Sequence, residues 1–300
     1  MRKIGEFLLA NQRNAAIVAL LCTLSPLISL PGGFLASILV GFITLCRGAK
    51  AGLFILAWIA LPAVALMYLH RFGVFDVLLL RCFLVWLFAT ILAKYASWRL
   101  VLELAVVVGF IAVVGLHLFI SDPHAWWVNH LTTYVSEMSK VTSWKLSTTE
   151  TQHLIQRFAP IATGITAFVM LFGTWLLLLL ARWWQTSLFD PGTLRKEFVQ
   201  IRMSRGLAVI ALAVIIGALM KLSFIIDFFP VLLLPFMVSG LSFLHFIVTL
   251  KKGLVLLLIL VYVGLLFLPF FIVLLLSSTG YFDVWFDFRK HIAKRRGEIL

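Results

Sequence analysis

Long apolar stretches are the feature that most limits the folds open to this chain. Residues 100–120 and 254–276, for example, approach or exceed the roughly 20 residues that a helix needs to cross a hydrocarbon core of about 30 Å. In lipid, backbone polar groups find partners only within a helix or a closed barrel, and no stretch alternates as a barrel strand does. The sequence therefore predicts an all-α polytopic transmembrane helical bundle.

The amino-acid composition favours the same class. Hydrophobic residues make up 63% of the 300 residues and charged residues only 12%. Soluble proteins average roughly 45–50% and about 25%, respectively. Because a water-soluble fold could not bury so large an apolar fraction, the sequence excludes that class and predicts the lipid bilayer as the main partner.

The formal net charge of +13 also fits a membrane protein. Lys and Arg concentrate at the ends of apolar runs, where basic residues orient spans by the positive-inside rule and contact anionic headgroups. This placement argues against nucleic acid as a partner. Residues 1–14 hold Arg2, Lys3 and Arg13 against Glu6, so the N-terminus is predicted to be cytoplasmic.

The apolar runs predict about eight or nine spans within a single integral membrane domain, residues 1–300. These spans lie near residues 15–30, 33–46, 51–70, 77–93, 100–120, 158–181, 207–226, 228–250 and 254–276. The polar regions are an outer insertion at 121–157, a basic cytoplasmic loop at 182–205 and a basic interfacial tail at 281–300. The side of the tail stays open, because three spans after a cytoplasmic loop put a basic tail outside, against the positive-inside rule.

The outer insertion is predicted to contain interfacial amphipathic helices. Its formal charges cancel, which favours the outer side of the membrane. Asp122-Pro123 is typical of a helix start, with an N-cap followed by proline at the first helical position. Ser147 and Glu150 have the spacing of a capping box that opens a second helix. Such helices would lie on the membrane surface or cap the bundle.

Charges inside apolar spans are the candidates for a ligand or ion-coupling site. A charge at the centre of a membrane helix costs roughly 2.5–3.5 kcal/mol on insertion scales, so it indicates a function or a partner. Lys221 and Asp227 are the first candidates, followed by Arg81 and Glu103. The first two lie about 9 Å apart along a helix and share a face only if the helix breaks. Interfacial anchoring around a tight turn is the alternative.

Basic and aromatic side chains near span ends are candidates for lipid or partner contact, although such residues also serve as solvated, orienting elements. The candidates are Arg182, Trp183, Trp184, Arg195, Lys196, Arg202, Trp285 and Arg289. Gly33, Ser37 and Gly41 recur every fourth residue and form a small-residue stripe that allows close helix approach. The stripe suits either packing inside the chain or docking of a partner.

The sequence contains no motif of a known catalytic site. It has no GxSxG, Walker, HExxH or dinucleotide-binding signature. Cys22, Cys46 and Cys82 lie in apolar runs without metal-ligand spacing. His117 and His245 are lone histidines in spans, which are more typical of hydrogen-bonded core residues than of ligands. We therefore expect no enzyme activity, metal or cofactor.

Several short motifs resemble those of a known family. They are Asp122-Pro-His-Ala-Trp-Trp127, Ala181-Arg-Trp-Trp-Gln185, Asp190-Pro-Gly192, Arg195-Lys-Glu-Phe198 and Trp285-Phe-Asp-Phe-Arg289. Over nearly its whole length the chain resembles the YybS-like membrane proteins of bacteria, a family without an established activity. The resemblance implies the inner membrane of a Gram-negative cell. It also implies a distant relation to the S components of energy-coupling factor vitamin transporters, which bind a small molecule and dock on an energising module.

These patterns favour two functions, whereas a third, an intramembrane enzyme, would need polar side chains that converge at one depth, which a sequence does not show. Broken helices and charges within or beside spans favour binding or transport of a small solute in the manner of an S-component-like protein, alone or with an energising module. The alternative is a non-transporting membrane scaffold that recruits partner proteins through the basic cytoplasmic loop.

Overall fold

Helices account for the regular secondary structure of this protein, because a backbone in an apolar medium needs hydrogen-bond partners of its own. The computed structural model describes residues 2–25, 32–68, 74–141, 148–220, 222–250 and 252–295. Over these ranges there is no β-strand, which confirms the all-α prediction for them. The α-helices are α1 (Arg2–Ala10), α2 (Gln12–Leu24), α3 (Gly32–Arg47), α4 (Ala49–Tyr68), α5 (Val74–Tyr95), α6 (Trp98–Phe119), α7 (Pro123–Val141), α8 (Thr148–Phe158), α9 (Ala162–Phe189), α10 (Thr193–Val199), α11 (Arg205–Leu219), α12 (Ser223–Ile226), α13 (Phe229–Leu250), α14 (Val255–Phe267), α15 (Pro269–Phe286) and α16 (Phe288–Arg295).

Five helical stretches among the described residues are long and apolar enough to cross a membrane. They are Asp76–Tyr95, Trp98–Phe119, Thr149–Phe189, Phe224–Leu250 and Pro269–Phe286. A sixth is possible if α1 and α2, bent by 115° relative to each other, count as one broken span. Other apolar helices are shorter: α3, with 16 residues, reaches only about 24 Å at 1.5 Å per residue. The protein is therefore a membrane-embedded helical protein, and its described residues contain five or six stretches that meet these criteria. The structure does not confirm the eight or nine spans expected.

The chain divides into two compact units. The first comprises Met1–Leu104 and Phe172–Ile201, and the second comprises Ala105–Leu171 and Arg202–Leu300. Because α6 and α9 are continuous helices, each of them contributes residues to both units.

The small-residue stripe on α3 packs inside the first unit. The Ser37 hydroxyl lies 3.3 Å from the Cys82 thiol of α5. A methyl group on Gly41 would lie 2.9 Å from Val85 and 3.0 Å from Ala181, which is closer than side chains normally approach. Gly33 lies against Leu78. The stripe thus lets α3 pack closely against other helices of its own unit.

Close backbone contact also organises the second unit, between α13 and α15. A methyl group on Gly240 would lie 2.0 Å from the Leu276 carbonyl oxygen, and one on Gly280 would lie 2.1 Å from the Phe236 carbonyl oxygen. The Ser277 hydroxyl donates to the Leu233 carbonyl at 3.0 Å. Only glycine permits this approach, because any Cβ would overlap backbone atoms of the neighbouring helix.

Local signals position several helix ends. The Ala125 amide donates to the Asp122 carboxylate at 2.9 Å, which confirms the predicted start of α7. Helix α9 continues past residue 181 to Phe189, so the first part of the predicted basic loop is helical. It ends at Asp190-Pro191-Gly192, where Gly192 has a φ of 97° that favours glycine.

Two of the spans predicted from the sequence are each divided into two helices. The stretch 207–226 contains the end of α11 at Leu219 and the separate short helix α12. The stretch 254–276 breaks at Leu268, because Pro269 lacks an amide hydrogen and begins a new helix that runs to Phe286. Ser147 of the predicted capping box and residues 26–31, 69–73 and 296–300 lie outside the described residues.

Candidate functional site: a cavity beside His117 and Asp227

Asp227 lies in the second unit, between the short helix α12 and the start of α13. Its side chain is buried, with 2% of the residue exposed. One carboxylate oxygen, Oδ1, accepts a hydrogen bond of 2.8 Å from the amide of Gly164, and the Thr163 hydroxyl also hydrogen-bonds the carboxylate. Both partners belong to the first turn of α9, where amide groups lack acceptors within their own helix. Asp227 therefore caps the first turn of α9, which directly follows a 3₁₀ turn at Ala159–Ile161.

Gly164 makes this capping geometry possible. A methyl group on Gly164 would lie 2.0 Å from the Asp227 carbonyl oxygen. The turn that carries Asp227 thus touches the backbone of α9 directly. A larger residue at this position would push the carboxylate away from the amide that it caps.

His117, near the end of α6, faces the other oxygen of Asp227. Its Nδ1 lies 3.0 Å from the Val113 carbonyl, and a carbonyl can only accept, so Nδ1 carries a proton. Nε2 lies 3.7 Å from Asp227 Oδ2, beyond direct hydrogen-bond distance. The ring of Phe224 meets the imidazole edge to face, with centroids 4.8 Å apart. In neutral His117, Nε2 is therefore an acceptor that points at a second acceptor.

A cavity of about 480 Å³ adjoins these two side chains. Its volume is within the range of small-molecule sites, roughly 300–1,000 Å³. Besides His117 and Asp227, the described polar and aromatic residues that line it are Ser121, Asp122, His124, Trp127 and Phe224.

The wall residue Trp127 is held in place by its own hydrogen bond. Its indole N–H donates to the Thr163 hydroxyl at 2.8 Å, and Thr163 in turn bonds Asp227. The cavity wall and the buried carboxylate thus belong to one hydrogen-bond network.

The site lies at the ends of the spans and not at mid-membrane. Asp227 is close to the beginning of the stretch Phe224–Leu250, and His117 is close to the end of Trp98–Phe119. Lys221, the other first candidate from the sequence, lies outside the described residues. Arg81 and Glu103 belong to the first unit, where the Arg81 guanidinium lies over the Phe34 ring at 4.9 Å and Glu103 faces Arg99 at 3.6 Å.

Sequence reasoning ranked His117 low and did not place Ser121, His124, Thr163 or Gly164 at a site. These residues are far from Asp227 in the sequence, so no local spacing links them to it. One local signal was present: His117 lies four residues before Ser121, the polar start of the outer insertion. A titratable residue at such a junction is close to water and can serve a binding site.

In the first unit, Arg182 forms an ion pair with Glu197. Both carboxylate oxygens of Glu197 accept from the guanidinium, and one also accepts from the Trp98 indole at 3.0 Å. Gln185 links the same region to the Leu45 carbonyl at 2.8 Å. A second cavity of about 390 Å³ adjoins Arg182 and Gln185. The pairing with Glu197 gives Arg182 a structural role inside its unit.

Arg289 and Arg202 surround a second buried carboxylate in the second unit, that of Asp283. Asp283 is fully buried, and its Oδ2 accepts from Arg289 Nε at 2.9 Å. Arg202 approaches the same oxygen at 4.0 Å and pairs with Asp287 at 2.9 Å. Burial is the largest influence on the pKa of Arg289 and lowers it, whereas Asp283 raises it. Arginine stays charged because its ordinary pKa lies far above neutrality.

The remaining candidates divide into buried and exposed residues. Trp184 stacks on Phe42 with ring centroids 4.4 Å apart, inside the first unit. Arg195 and Lys196 are exposed on α10. The side chains of Trp183 and Trp285 are also exposed, on α9 and α15, respectively.

Metal binding has no structural support in the described residues. Among them, no three His, Cys, Asp or Glu side chains are grouped so that they could hold a metal ion. Comparisons of the chain with protein-family models, with curated proteins and with solved structures find no match, so its function has to be argued from its own residues.

Proposed function

We propose that this protein is a multi-pass membrane protein that binds a small solute in the cavity beside His117 and Asp227. The single observation that carries the proposal is a buried carboxylate of a membrane span beside a cavity of ligand size. A buried carboxylate is costly unless it is paired, so one beside a cavity of this size indicates a partner that enters the cavity.

Capping of α9 alone does not account for every feature of the site. The Gly164 amide and the Thr163 hydroxyl satisfy the capping role. That role requires neither the imidazole of His117 facing Oδ2 nor an adjacent cavity. A binding site explains both, because a ligand needs polar groups left over after the fold has been satisfied.

The proposal also covers the membrane location and topology of the protein, here called its setting, and a wider role in solute transport. The setting is a bacterial inner membrane, with the N-terminus in the cytoplasm and eight or nine crossings. Four apolar helices shorter than the five full-length spans are the segments that could supply the additional crossings. The wider role is that of an S-component-like protein, which would bind the solute alone or hand it to an energising module. The motifs that resemble the YybS-like family support this part.

Native mass spectrometry of the gently solubilised protein from its own host tests the proposal. We expect a bound small molecule with the wild-type chain and its loss in Asp227→Asn, which removes the charge but keeps an acceptor for Gly164. Lys221→Met tests the other charge that the sequence singled out, and His117→Phe removes Nε2 but keeps a ring. Asp76→Asn is the matched control, because Asp76 is an exposed carboxylate in the first unit and lines neither cavity. Equal ligand occupancy in wild-type protein and in Asp227→Asn would contradict the proposal.

A membrane scaffold is the second candidate function. The observation that favours it is the exposure of neighbouring cations Arg195 and Lys196 on α10. Arg182 and Arg202 contribute less to such a surface, because Glu197 and Asp287 pair with them. The scaffold would recruit a protein with an acidic surface through this part of the loop.

A further inference from the structure

We infer that the solute bound beside His117 and Asp227 is a small protonated amine whose N–H groups bridge the two side chains. The inference rests on the proposed function and names the chemical class of its solute. It follows from the direction of the hydrogen bonds around the site and from the chemistry of the cavity wall.

The first step is that two hydrogen-bond acceptors, His117 Nε2 and Asp227 Oδ2, face each other in the site. The proton on His117 Nδ1 is directed to the Val113 carbonyl at 3.0 Å, so neutral His117 offers only a lone pair at Nε2. Asp227 Oδ2 is a carboxylate oxygen and also only accepts. At 3.7 Å the two atoms are too far apart for a direct hydrogen bond and close enough for one donor group to reach both. An ammonium group carries up to three N–H donors and satisfies this geometry.

The second step concerns charge. Asp227 is buried, and a carboxylate in a medium of low dielectric constant gains most from a partner of opposite charge that also hydrogen-bonds. Among the described residues, its partners are an amide, a hydroxyl and an imidazole, none of which is a permanent cation. The Asp122 carboxylate also lines the cavity. A cationic ligand complements this wall, whereas an anionic one would be repelled by both carboxylates.

The third step concerns the rest of the ligand. Trp127 and Phe224 line the same cavity. The Trp127 indole is fixed by its bond to Thr163, and Phe224 is packed against His117 and against Phe228 at 5.0 Å. Aromatic rings held in place attract cations and pack against apolar groups. We therefore expect an amine with a short apolar or aromatic body.

Isothermal titration calorimetry on the full chain in detergent tests this inference with four probes of similar size. They are 2-phenylethylamine, 2-phenylethanol, phenylacetate and trimethyl(2-phenylethyl)ammonium, which differ in charge and in N–H donors. We expect the amine to bind at least about tenfold more tightly than each of the others, as a charge-assisted hydrogen bond implies. Asp227→Asn should remove this preference. Should that variant fail to fold, His117→Phe, which should weaken amine binding while keeping the ring, provides the same comparison.

The outcomes separate the amine class from the proposed function. Equal binding of the alcohol or of the trimethyl compound would overturn the requirement for a charged donor. That result would also be expected if a proton held between His117 and Asp227 already satisfied both acceptors. Preferred binding of the alcohol or of phenylacetate that still depends on Asp227 would leave a solute site and overturn the amine class. Binding of none of the four probes to the wild-type chain would overturn the amine class, whereas the proposed function is overturned only if native mass spectrometry also finds no ligand that depends on Asp227.

Discussion

Asp227 and Asp283 are both buried carboxylates of the second unit, yet their partners among the described residues differ. Asp283 faces two guanidinium groups, with Arg289 at 2.9 Å and Arg202 at 4.0 Å. Asp227 receives an amide hydrogen bond and faces an imidazole at 3.7 Å, beside a cavity of about 480 Å³. The first charge is neutralised within the fold. Among the described residues, the second has an amide, a hydroxyl and an imidazole as partners, which leaves it able to attract a cationic ligand.

A glycine contact supports each carboxylate. Gly280, one helical turn before Asp283, touches the backbone of α13, and Gly164 touches the backbone of the Asp227 turn. The two regions therefore have similar construction and differ in the charge around them. Both carboxylates are buried, so burial alone does not distinguish a structural charge from a functional one. The partners of each carboxylate make that distinction.

The largest effect is expected from Arg289→Met. It leaves Asp283 buried with only the more distant Arg202, and removing one partner of a buried ion pair costs about 3–5 kcal/mol of unfolding free energy. Chemical unfolding of the purified protein in detergent measures the loss. The double variant Asp283→Asn with Arg289→Met should recover much of it, because no charge is then left unpaired. If Arg289→Met were as stable as the wild type, Arg289 would not be the partner that stabilises buried Asp283, and the contrast with Asp227 would fail.

The glycine contacts predict the next largest effects. Gly280→Ala and Gly164→Ala each place a methyl group about 2 Å from a backbone oxygen, and such overpacking typically costs about 1–3 kcal/mol. Only Gly164→Ala should also abolish solute binding, measured by calorimetry on folded protein. Gly115→Ala is the matched control, because nothing lies within 4 Å of its added methyl. If folded Gly280→Ala protein also lost solute binding, the region around Asp283 would contribute to binding, and the two regions would not differ in function.

The sequence alone predicted the helical membrane class, because that class depends on local composition. It also singled out Asp227 as a charge within an apolar stretch, which stays a prediction as a site residue. The start of α7 at Asp122 was also predicted, since a cap and its helix are adjacent. The partner of a buried charge is a tertiary contact, and neither His117 nor Gly164 is near Asp227 in the sequence.

Arg289 is a second residue whose partner could not be predicted from the sequence. The basic tail that contains it favoured contact with lipid or a partner, whereas the structure buries it against Asp283. The interruption of the last predicted span at Leu268 was not expected either, although Pro269 gave a local signal for it.

A smaller effect on stability is expected from Asp227→Asn, with a large effect on binding. The amide oxygen of asparagine still accepts from Gly164, so the loss is limited to the charged part of the capping interaction, about 1–2 kcal/mol. Unfolding and calorimetry on the same preparation separate the two effects. If Asp227→Asn destabilises the protein as strongly as Arg289→Met does, then Asp227 is a structural residue like Asp283 and the distinction between the two regions fails.

The smallest effect on stability is expected from the double charge reversal Arg195→Glu with Lys196→Glu. Both side chains are exposed, and surface substitutions of this kind usually change the unfolding free energy by no more than about 0.5 kcal/mol. Solute binding and the set of co-purifying proteins should both stay as in the wild type if the cavity is the functional site. Arg202→Glu is a poor substitute for this variant, because it would place a carboxylate beside Asp283 and Asp287 and disturb the fold. Loss of specific co-purifying proteins from the double variant, with its stability unchanged, would instead favour the scaffold and would move the functional surface of this protein from the second unit to α10 of the first.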